Sequence, residues 1–278
     1  MLTQGGFGFI RRIMLNDFEP IIIDFPAKTD ISIRPLYDLH IGSAQFNEKR
    51  FTQFVDDVLA DPKCYVVIGG DLMDMGLKNS VTNCYEQTMR PSEQKRYCTE
   101  LLRPLAAANR ILCGTSGNHE NRAVKECDDN PLYDVFAKLD IEDKFRENIC
   151  FLFIRIGGGD VALSSKYRPC YSVAVTHGAG GGMYIGSGAN RMERFGSVID
   201  GLDIIITGHT HKPITFPVAK LVIDPQNKQI TTKQFTCVTA SSWLDYGGYP
   251  VRKMLTPTAF AMQEIYLSGN GKNVRVLQ

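Results

Sequence analysis

The stretch YVVIGGDLMD, residues 65–74, shows the pattern on which the rest of the chain is built. It begins with four apolar residues that are typical of a buried strand, and two glycines and two carboxylates follow them. In open α/β sheets, ligands bind in the loops just beyond the carboxyl ends of the strands. The stretch therefore predicts an α/β fold in which Asp71 and Asp74 lie at the functional edge of a sheet.

Four further motifs follow the same arrangement, and they contain all five histidines of the chain. They are Asp38-Leu39-His40, Gly117-Asn118-His119-Glu120, Thr176-His177-Gly178 and Gly208-His209-Thr210-His211. Each motif comes after a short apolar strand candidate, so loops that are distant in sequence can converge on one edge of a sheet. Imidazoles, carboxylates and an asparagine amide make a hard-to-borderline ligand set, which suits Mn, Fe or Zn. We therefore expect a pair of metal ions at this edge.

The overall composition is that of a globular protein. The chain has 278 residues, of which 44% are hydrophobic and 22% are charged. Because the motifs run from residue 38 to residue 211, we expect an N-terminal extension, residues 1–30, that packs on a single domain of residues 31–278. The sequence shows no signal peptide and no apolar run of membrane-spanning length. The eight cysteines lack C-x-x-C spacing and are expected to be reduced thiols, so we predict a cytoplasmic protein with no membrane partner.

The charge balance does not single out a polyanionic partner. The formal net charge is +1, but residues 205–278 contain eight Lys or Arg against three Asp or Glu, and residues 1–204 contain 23 against 27. This unevenness is compatible with a basic rim that faces a nucleic acid. Solvated loops and strand edges explain it better, because the basic residues are scattered and form no run.

Apolar periodicity predicts the order of the elements. Strands are expected at Ile21–Ile23, 31–37, Tyr65–Ile68, Ile111–Cys113, Phe151–Ile156, Tyr171–Thr176 and Ile204–Thr207. Helices are expected at Phe46–Leu59, within 80–108 with Pro91 and Pro104 breaking or starting segments, at Pro131–Leu139 and at Met192–Ile199. The glycines of residues 178–188 predict a flexible loop, and residues 216–276 are expected to be mainly β, with a hairpin turn at Asn270-Gly271.

The motif order D-x-H, G-D-x-x-D, G-N-H-E, H-G, G-H-x-H closely resembles that of the calcineurin-like metallophosphoesterases, over about residues 31–212. The longer surroundings, Asp38-Leu39-His40-Ile41-Gly42 and His209-Thr210-His211-Lys212-Pro213, resemble phage or prophage members. The resemblance implies a four-layer α/β/β/α sandwich with two central mixed β-sheets. It also implies a metal-dependent phosphoric ester hydrolase, whose substrate is a phosphomonoester or phosphodiester in a phosphorylated small molecule or a nucleic acid.

The resemblance further implies a role for the motif residues. Asp38, His40 and His211 would bind a first metal ion, Asn118, His177 and His209 a second, and the carboxylate of Asp71 would bridge the two ions. Mn is the expected ion, and Fe, Zn, Ni, Co or Mg are compatible with the ligands. Two divalent ions roughly 3.5–4 Å apart need a bridging anion to offset their repulsion, and a hydroxide held between them can attack phosphorus in line.

His119 is the motif histidine that the resemblance does not assign to a metal ion. It implies a general acid that protonates the leaving oxygen, with Asp74 orienting the imidazole. The other interpretation of Asp74 is that it caps the helix that follows it. We favour the pairing with His119, because a carboxylate partner raises the basicity of an imidazole and fixes its tautomer.

Residues beside the motifs are candidates for substrate binding: Arg122, Asn190, Arg191 and Lys212. Arg122 lies three residues after His119 and could clamp a phosphate, although a surface salt bridge explains it equally well. Residues 177–194 could cradle an anion with exposed amides, or they could form a mobile loop near the site.

Two other functions, and the role of one group of aromatic residues, stay open. A DNA nuclease in phage-type DNA processing would need a groove with phosphate contacts, and the near-neutral charge counts against it. A non-catalytic scaffold of the same fold should have lost ligands, and this chain retains every motif position. Trp243, Tyr246 and Tyr249 could wall a nucleobase pocket or form the contact of a homo-oligomer, but core packing explains them better.

Overall fold

The computed structural model describes residues 16–78, 80, 84–157, 168–182 and 184–278. Two six-stranded mixed β-sheets pack face to face, and helices cover the outer face of each sheet. One apolar cluster fills the space between the sheets, and one lies beneath each helical layer. The architecture is the four-layer α/β/β/α sandwich that the motif order implied.

In chain order the strands are β1 Ile21–Phe25, β2 Ile31–Leu36, β3 Cys64–Ile68, β4 Ile111–Thr115, β5 Phe145–Arg146, β6 Ile149–Ile156, β7 Cys170–Thr176, β8 Ile204–Thr207, β9 Ile214–Asp224, β10 Gln229–Thr239, β11 Glu264–Leu267 and β12 Val274–Leu277. Sheet I has the strand order β12-β11-β2-β3-β4-β5, and sheet II has the order β1-β6-β7-β8-β10-β9. Strands β2 to β5 run parallel to one another, and so do β7, β8 and β10. The carboxyl ends of each set therefore meet at one edge of their sheet.

In chain order the α-helices of the described residues are α1 Glu48–Ala60, α2 Pro91–Ala107, α3 Glu120–Cys127, α4 Pro131–Lys138, α5 Ile185–Ser197 and α6 Tyr249–Arg252. Helix α1 buries Phe51, Phe54, Val55 and Val58, whose spacing places them on one helical face against sheet I. Helix α5 covers sheet II and buries Met192 there. The predicted amphipathic pattern of residues 46–59 thus corresponds to a helix that packs on a sheet.

The structure corrects two predictions about helices. Pro104 does not break a segment: it lies inside α2 on the exposed side, where the carbonyl that loses its hydrogen bond can bind water. The helix predicted at Met192–Ile199 begins earlier, so Gly186 and Gly188 belong to α5 and not to a flexible loop. A Cβ at position 188 would lie 2.7 Å from Thr210 Cγ2, so glycine lets this helix pack closely against the loop that carries the last motif.

Helix α3 was not predicted, although it begins inside the Gly-Asn-His-Glu motif. Its buried residues are Glu120 and Ala123, so the apolar periodicity that marks a packed helix is missing from the sequence. The helix ends at Asp128, which adopts a left-handed conformation with φ of 56°.

The remaining strands follow the prediction closely. Strand β1 pairs in parallel with β6 at the edge of sheet II. Asn270-Gly271 lies in the turn between the antiparallel strands β11 and β12.

The division into an extension and a single domain stays a prediction, and residues 1–15 of that extension lie outside the described residues. Among the residues that are described, no helix combines the length and the apolar character needed to cross a membrane.

Candidate metal centre

The predicted metal ligands lie in loops at the carboxyl ends of the parallel strands. The loop after β2 carries Asp38 and His40, and the loops after β3 and β4 carry the next two motifs. In sheet II, His177 directly follows β7, and the last motif directly follows β8. The two sheets present these ends side by side, since His177 Nδ1 lies 2.9 Å from the carbonyl oxygen of Gly69 at the end of β3.

Backbone contacts hold the loops of sheet I together. The N–H of Asp38 donates to the carbonyl of Gly70 at 3.1 Å, and the N–H of His40 donates to that of Asp71 at 3.0 Å. Gly70 has φ of 85°, and a Cβ there would lie 2.1 Å from the backbone nitrogen of Gly117 in the loop after β4. Glycine at this position therefore lets the loops approach closely enough for their side chains to meet.

Five of the predicted metal ligands have a left-handed backbone conformation. Their φ values lie between 50° and 66°, and they are Asp38, His40, Asp71, His209 and His211. Such conformations are uncommon for residues with a Cβ, store on the order of 1–3 kcal/mol when strained, and cluster at functional sites. The fold thus holds the backbone of these residues in an unfavourable conformation, which points to a functional requirement for the positions of their side chains.

One cluster joins His177, His209 and Asn118. His177 Nε2 lies 3.1 Å from His209 Nδ1 and 3.0 Å from Asn118 Oδ1, and the last two atoms are 2.7 Å apart. Asp71 Oδ2 lies 3.3 Å from His177 Nε2. Ligand atoms about 2.1 Å from one ion lie roughly 3.0–3.4 Å from each other, so the spacing is close to that around a shared cation.

The tautomers of this cluster leave lone pairs facing its centre. His177 directs Nδ1 at the carbonyl of Gly69, so in the neutral ring the proton lies on Nδ1 and the lone pair on Nε2. His209 directs Nε2 at the carbonyl of Gly180, at 2.8 Å, so its lone pair lies on Nδ1. The side-chain oxygen of Asn118 is an acceptor as well. A cation would stabilise these converging acceptors, and carbonyls that fix the imidazole tautomers are a usual outer layer of metal sites.

A second cluster joins Asp38, His40 and His211. The Nε2 atoms of the two histidines are 3.2 Å apart, and His211 Nε2 lies 3.5 Å from Asp38 Oδ1. His40 turns Nδ1 towards Asp74, 3.3 Å from Oδ1, so Nε2 carries the lone pair in the neutral ring. Asp38 Oδ1 is buried and has no hydrogen-bond partner among the described residues. An orphaned carboxylate oxygen beside two imidazole nitrogens fits a cation ligand.

Asp38 and Asp71 each use one carboxylate oxygen to hold the fold and turn the other towards the clusters. Asp38 Oδ2 accepts the backbone N–H of His209 at 2.9 Å. Asp71 Oδ1 accepts the backbone N–H of His119 at 2.8 Å. These bonds fix the rotation of both carboxylates, so Asp38 Oδ1 and Asp71 Oδ2 are the atoms that face the clusters.

Asp71 belongs to both halves of the site. It groups with His177 and His209 on one side and with His40 and His119 on the other, and the ligand atoms of each group lie within 4.8 Å of one another. Imidazole nitrogens together with carboxylate and amide oxygens suit divalent ions such as Mn, Fe or Zn. The residues present therefore fit two divalent ions with Asp71 between them.

The carboxylate of Asp71 and the imidazole of His177 shift each other's protonation. Burial alone raises the pKa of Asp71, but His177 and His119 outweigh it and hold the pKa well below its usual value. Burial alone lowers the pKa of His177, but Asp71 outweighs it and raises the pKa to about 10. A cation that binds His177 must displace this proton, so metal binding is coupled to proton release.

The family of the chain follows from this set of motifs. Residues 38–213, more than half of the chain, match the model of the calcineurin-like phosphoesterases, Metallophos. The chain belongs to the calcineurin-like phosphoesterase family. Membership of this family and the His/Asp clusters together indicate a metal-dependent phosphoester hydrolase. The phage or prophage subtype stays a prediction, and none of the curated proteins matches the chain.

Solved structures similar to this family member include two that align over most of its length. The crystal structure of calcineurin-like phosphoesterase YfkN from Bacillus subtilis is 13% identical, with 89% of this chain and 90% of that chain covered and a TM-score of 0.38. The crystal structure of a hypothetical protein from Thermus thermophilus is 11% identical, with 89% and 98% covered and a TM-score of 0.35.

Asp74 of this calcineurin-like phosphoesterase does not cap a helix, since residues 75–78 are not helical. Its Oδ1 lies 3.0 Å from His119 Nδ1 and 3.3 Å from His40 Nδ1, so one carboxylate orients two imidazoles. Burial alone raises the pKa of Asp74, but the imidazoles of His119 and His40 beside it outweigh burial and lower the pKa strongly. Burial alone lowers the pKa of His119, but Asp71 and Asp74 outweigh it and raise the pKa above its usual value.

Arg122 contacts the site, and among the described residues it forms no surface salt bridge of the kind that the sequence left open. Its Nη1 donates to the carbonyl of Asp74 at 3.0 Å, and its Nη2 lies 3.0 Å from His119 Nε2. A guanidinium only donates, so His119 Nε2 accepts and the ring proton lies on Nδ1, facing Asp74. Arg122 therefore occupies Nε2 of His119 in this structure.

The other predicted substrate residues lie outside the two clusters. Arg191 is exposed on α5 and lines a cavity of about 310 Å³ together with Gly178 and Thr210. Lys212 lines a separate groove of about 560 Å³. Asn190 is exposed and lines neither space. The roles of these three residues stay predictions.

The predicted core packing holds for one of the three aromatic residues. Trp243 is 1% exposed and packs edge-on against Phe51 and Phe54 of α1. Tyr246 and Tyr249 are 52% and 39% exposed, so core packing is wrong for both. Both tyrosines follow Leu244, which pairs with Phe46 just before α1.

Glu120 is a residue of the site that the sequence analysis did not single out. It is fully buried, and its carboxylate accepts the backbone N–H groups of Asp71 and Gly117 at 2.9 Å and of Met73 at 3.1 Å. Burial raises its pKa. The side chain thus ties the loop after β3 to the loop after β4. The motif contains the residue, but nothing in the local sequence indicates that two of its partners lie 47 and 49 residues away.

We expect Glu120→Gln to lower the free energy of unfolding by about 2 kcal/mol and to weaken metal binding, because the amide turns an NH₂ group towards a backbone N–H. Urea unfolding and titration with Mn measure the two effects. Glu126→Gln, on the exposed side of the same helix α3, is the matched control. Equal losses in both variants would show that Glu120 has no special role in joining the loops.

Proposed function

We propose that the protein is a dinuclear metal-dependent phosphoesterase that hydrolyses a phosphomonoester or a phosphodiester. The observation that carries the proposal is the convergence of acceptor atoms from loops of both sheets. His177 Nε2, His209 Nδ1 and Asn118 Oδ1 lie within 3.1 Å of one another. Asp38 Oδ1 adds a buried oxygen without a hydrogen-bond donor from the described residues.

The proposed ligand assignment follows from which atoms face each other. Asp38, His40 and His211 would hold a first ion, Asn118, His177 and His209 a second, and Asp71 would bridge them with Oδ2. When bound, two divalent ions would activate a water molecule for attack on phosphorus and neutralise charge on the phosphoryl oxygens. Mn is the first ion to test, and Fe, Zn, Ni, Co and Mg are the alternatives.

His119 is the residue that we propose as the general acid. Asp74 fixes its Nδ1, which leaves Nε2 as the atom that can reach a leaving oxygen. Nε2 lies 3.7 Å from Asp71 Oδ2, so it borders the space between the two clusters. The raised pKa of His119 favours the protonated ring that donation to an alkoxide leaving group requires, once Arg122 no longer donates to Nε2.

Arg122 is the residue that we propose to bind a phosphoryl oxygen. In the free protein it donates to His119 Nε2, a neutral acceptor. An anionic phosphoryl oxygen is a stronger acceptor for a guanidinium than a neutral imidazole is. Substrate binding would therefore draw Arg122 from His119 to the phosphate and free Nε2 for the leaving oxygen.

A panel of substrates tests the proposed function. We would load the full chain with Mn, Fe, Zn, Ni, Co or Mg and assay nitrophenyl mono- and diesters, cyclic nucleotides and linear DNA. We expect metal-dependent release of phosphate or of a phosphate monoester from at least one small ester. Cleavage of linear DNA at low salt, with no turnover of small esters, would replace the proposal with the nuclease alternative. A metal-loaded protein that is inert on the whole panel would support the scaffold alternative.

We expect Arg122→Lys to raise KM by about 10-fold to 100-fold and to change kcat for a nitrophenyl ester little, because lysine cannot donate the paired hydrogen bonds of a guanidinium. Steady-state kinetics with the metal-loaded protein measure both constants. Arg103→Lys, on the surface of α2, is the matched control. An unchanged KM in the Arg122 variant would remove this residue from the substrate site.

A further inference from the structure

Gln87 is the partner of the second carboxylate oxygen of Asp74. Its Nε2 donates to Asp74 Oδ2 at 2.5 Å. The other oxygen, Oδ1, lies 3.0 Å from His119 Nδ1 and 3.3 Å from His40 Nδ1. The terminal torsion of an aspartate side chain has a broad energy profile, so its contacts decide the value that it adopts. With Oδ2 bound to Gln87, the carboxylate is held at the rotation that turns Oδ1 towards both imidazoles.

Gln94 decides which end of the Gln87 amide faces Asp74. Its Nε2 donates to Gln87 Oε1 at 2.9 Å, which leaves the NH₂ group of Gln87 for the carboxylate. The orientation of Gln94 is fixed in turn by the backbone. Its Oε1 accepts the N–H of Met75 at 2.9 Å, and its Nε2 also donates to the carbonyl of Met89 at 2.9 Å. A backbone N–H only donates and a carbonyl only accepts, so the direction of every hydrogen bond in this series is determined.

The loops around the two amides leave space for them. Gln94 is fully buried in α2, and Gln87 is half-buried in the segment before that helix. A Cβ at Gly42 would lie 2.2 Å from Gln94 Nε2, and one at Gly76 would lie 2.8 Å from Gln87 Cδ. Glycine in both loops therefore lets the amides approach the backbone closely. A polar network whose members are all hydrogen-bonded specifies a single arrangement, and this network ends on Asp74.

We propose that Gln87 is a positioning residue of the site and that Gln94 sets its orientation. Through Asp74, Gln87 would align His40, the proposed ligand of the first ion, and His119, the proposed general acid. The inference rests on the proposed function for these two roles. A carboxylate behind a metal-binding imidazole fixes the orientation of the ring, and loss of such an outer partner typically costs about 10-fold to 100-fold in metal affinity or activity.

The backbone of Asp74 limits the expected effect at His119. Nδ1 of His119 also lies 2.8 Å from the carbonyl oxygen of Asp74, so the ring keeps one acceptor when the carboxylate turns away. Removing the Gln87 amide should therefore weaken proton donation only in part, and by less than His119→Ala does.

Gln87→Met removes the amide at nearly the same side-chain length. With the metal-loaded protein, we expect kcat for an alkyl ester to fall about tenfold and kcat for a nitrophenyl ester to fall much less. In the His119→Ala background, Gln87→Met should leave the ratio of the two rates unchanged, because it acts on that ratio through His119. Titration with Mn should show the affinity for the first ion reduced about tenfold, through His40.

Gln53→Met is the matched control for these measurements. Gln53 lies on the exposed side of α1, where its Nε2 donates to Asp57 Oδ1 at 2.9 Å. The control thus removes the same kind of amide–carboxylate bond away from the site. Urea unfolding measures the stability of both variants. If Gln87→Met does not fold, Gln87→Asn takes its place, because its shorter amide cannot contact Asp74 and Gln94 together.

The imidazole N–H signals of the metal-free protein give a readout that needs neither metal nor activity. In protein labelled with ¹⁵N-histidine, His40→Ala and His119→Ala assign the Nδ1–H signals of the two rings. The His40 signal should be present in the wild type and in Gln53→Met, and lost to exchange with water in Gln87→Met. The Nδ1–H signal of His177, which faces the carbonyl of Gly69, should be retained in all three proteins.

Three results would overturn the inference. They are equal slowing of the two esters in Gln87→Met, a further change of their ratio when this variant is combined with His119→Ala, and a His40 signal that Gln87→Met leaves unchanged. A metal-loaded protein that is inert on every ester would contradict the proposed function instead. The imidazole signals would still show whether Gln87 holds the carboxylate of Asp74 in place.

Discussion

The Asp71→Asn variant should bind at most one metal ion per chain, and its turnover should fall at least about a thousandfold. Asparagine keeps an oxygen that can accept the backbone N–H of His119, so the loop can retain its conformation. The change removes the negative charge between the clusters and turns an NH₂ group towards His177 Nε2. Without a shared anion, the repulsion between two divalent ions is no longer offset.

Elemental analysis after gel filtration gives the number of bound ions, and titration with Mn gives their affinities. Asp203→Asn is the matched control, because Asp203 is partly buried and, like Asp71, accepts a backbone N–H, here from Ser172 at 2.7 Å. It lies before β8, at the far end of that strand from the site. Two ions bound to the Asp71 variant with wild-type affinity would remove Asp71 from the bridging position.

The His119→Ala variant should retain both metal ions but slow the hydrolysis of esters with poor leaving groups by about 10²-fold to 10⁴-fold. An alkyl ester leaves as a strongly basic oxygen and needs a proton, whereas a nitrophenolate needs little assistance. The nitrophenyl ester should therefore lose much less rate than the alkyl ester. The ratio between the two losses isolates proton donation from any general damage to the site.

A leaving-group series measured at saturating metal gives this ratio directly. The dependence of rate on leaving-group pKa should be steeper in the variant than in the wild type. Equal slowing for good and poor leaving groups would indicate that His119 stabilises the bound phosphate and does not donate a proton. Loss of metal from the variant would instead indicate a ligand role, since His119 also groups with His40 and Asp71.

Much of the fold could be predicted because the local sequence of most strands is distinctive. Short apolar runs ending in polar motifs marked β2, β3, β4, β7 and β8, and the structure has strands there. The predictions failed where a tertiary contact overrides local preference. Helix α5 includes Gly188 because it packs closely on Thr210, and α3 lacks an apolar face because it buries Glu120.

The hairpin of β9 and β10 shows that prediction from local sequence has the same limit at the protein surface. Composition predicted β structure for residues 216–276, but alternation along β9 does not reveal which side faces the rest of the protein. The register with β10 and the position of Lys220 beside Asp200 decide that the aliphatic side is the exposed one. A sequence pattern defines two faces of a strand, and only packing assigns one of them to solvent.

The sequence by itself determined the chemical character of the site. Imidazole, carboxylate and amide donors are fixed by residue type, and their place after apolar strands follows from local patterning. Only the tertiary structure decided which atom of each donor faces the centre. The carbonyls of Gly69 and Gly180 set the tautomers of His177 and His209. The contact of His177 with Gly69 joins loops of the two sheets that are 108 residues apart in the chain, and it forms only when the sheets pack together. The contact of His209 with Gly180 joins two loops of sheet II, 29 residues apart.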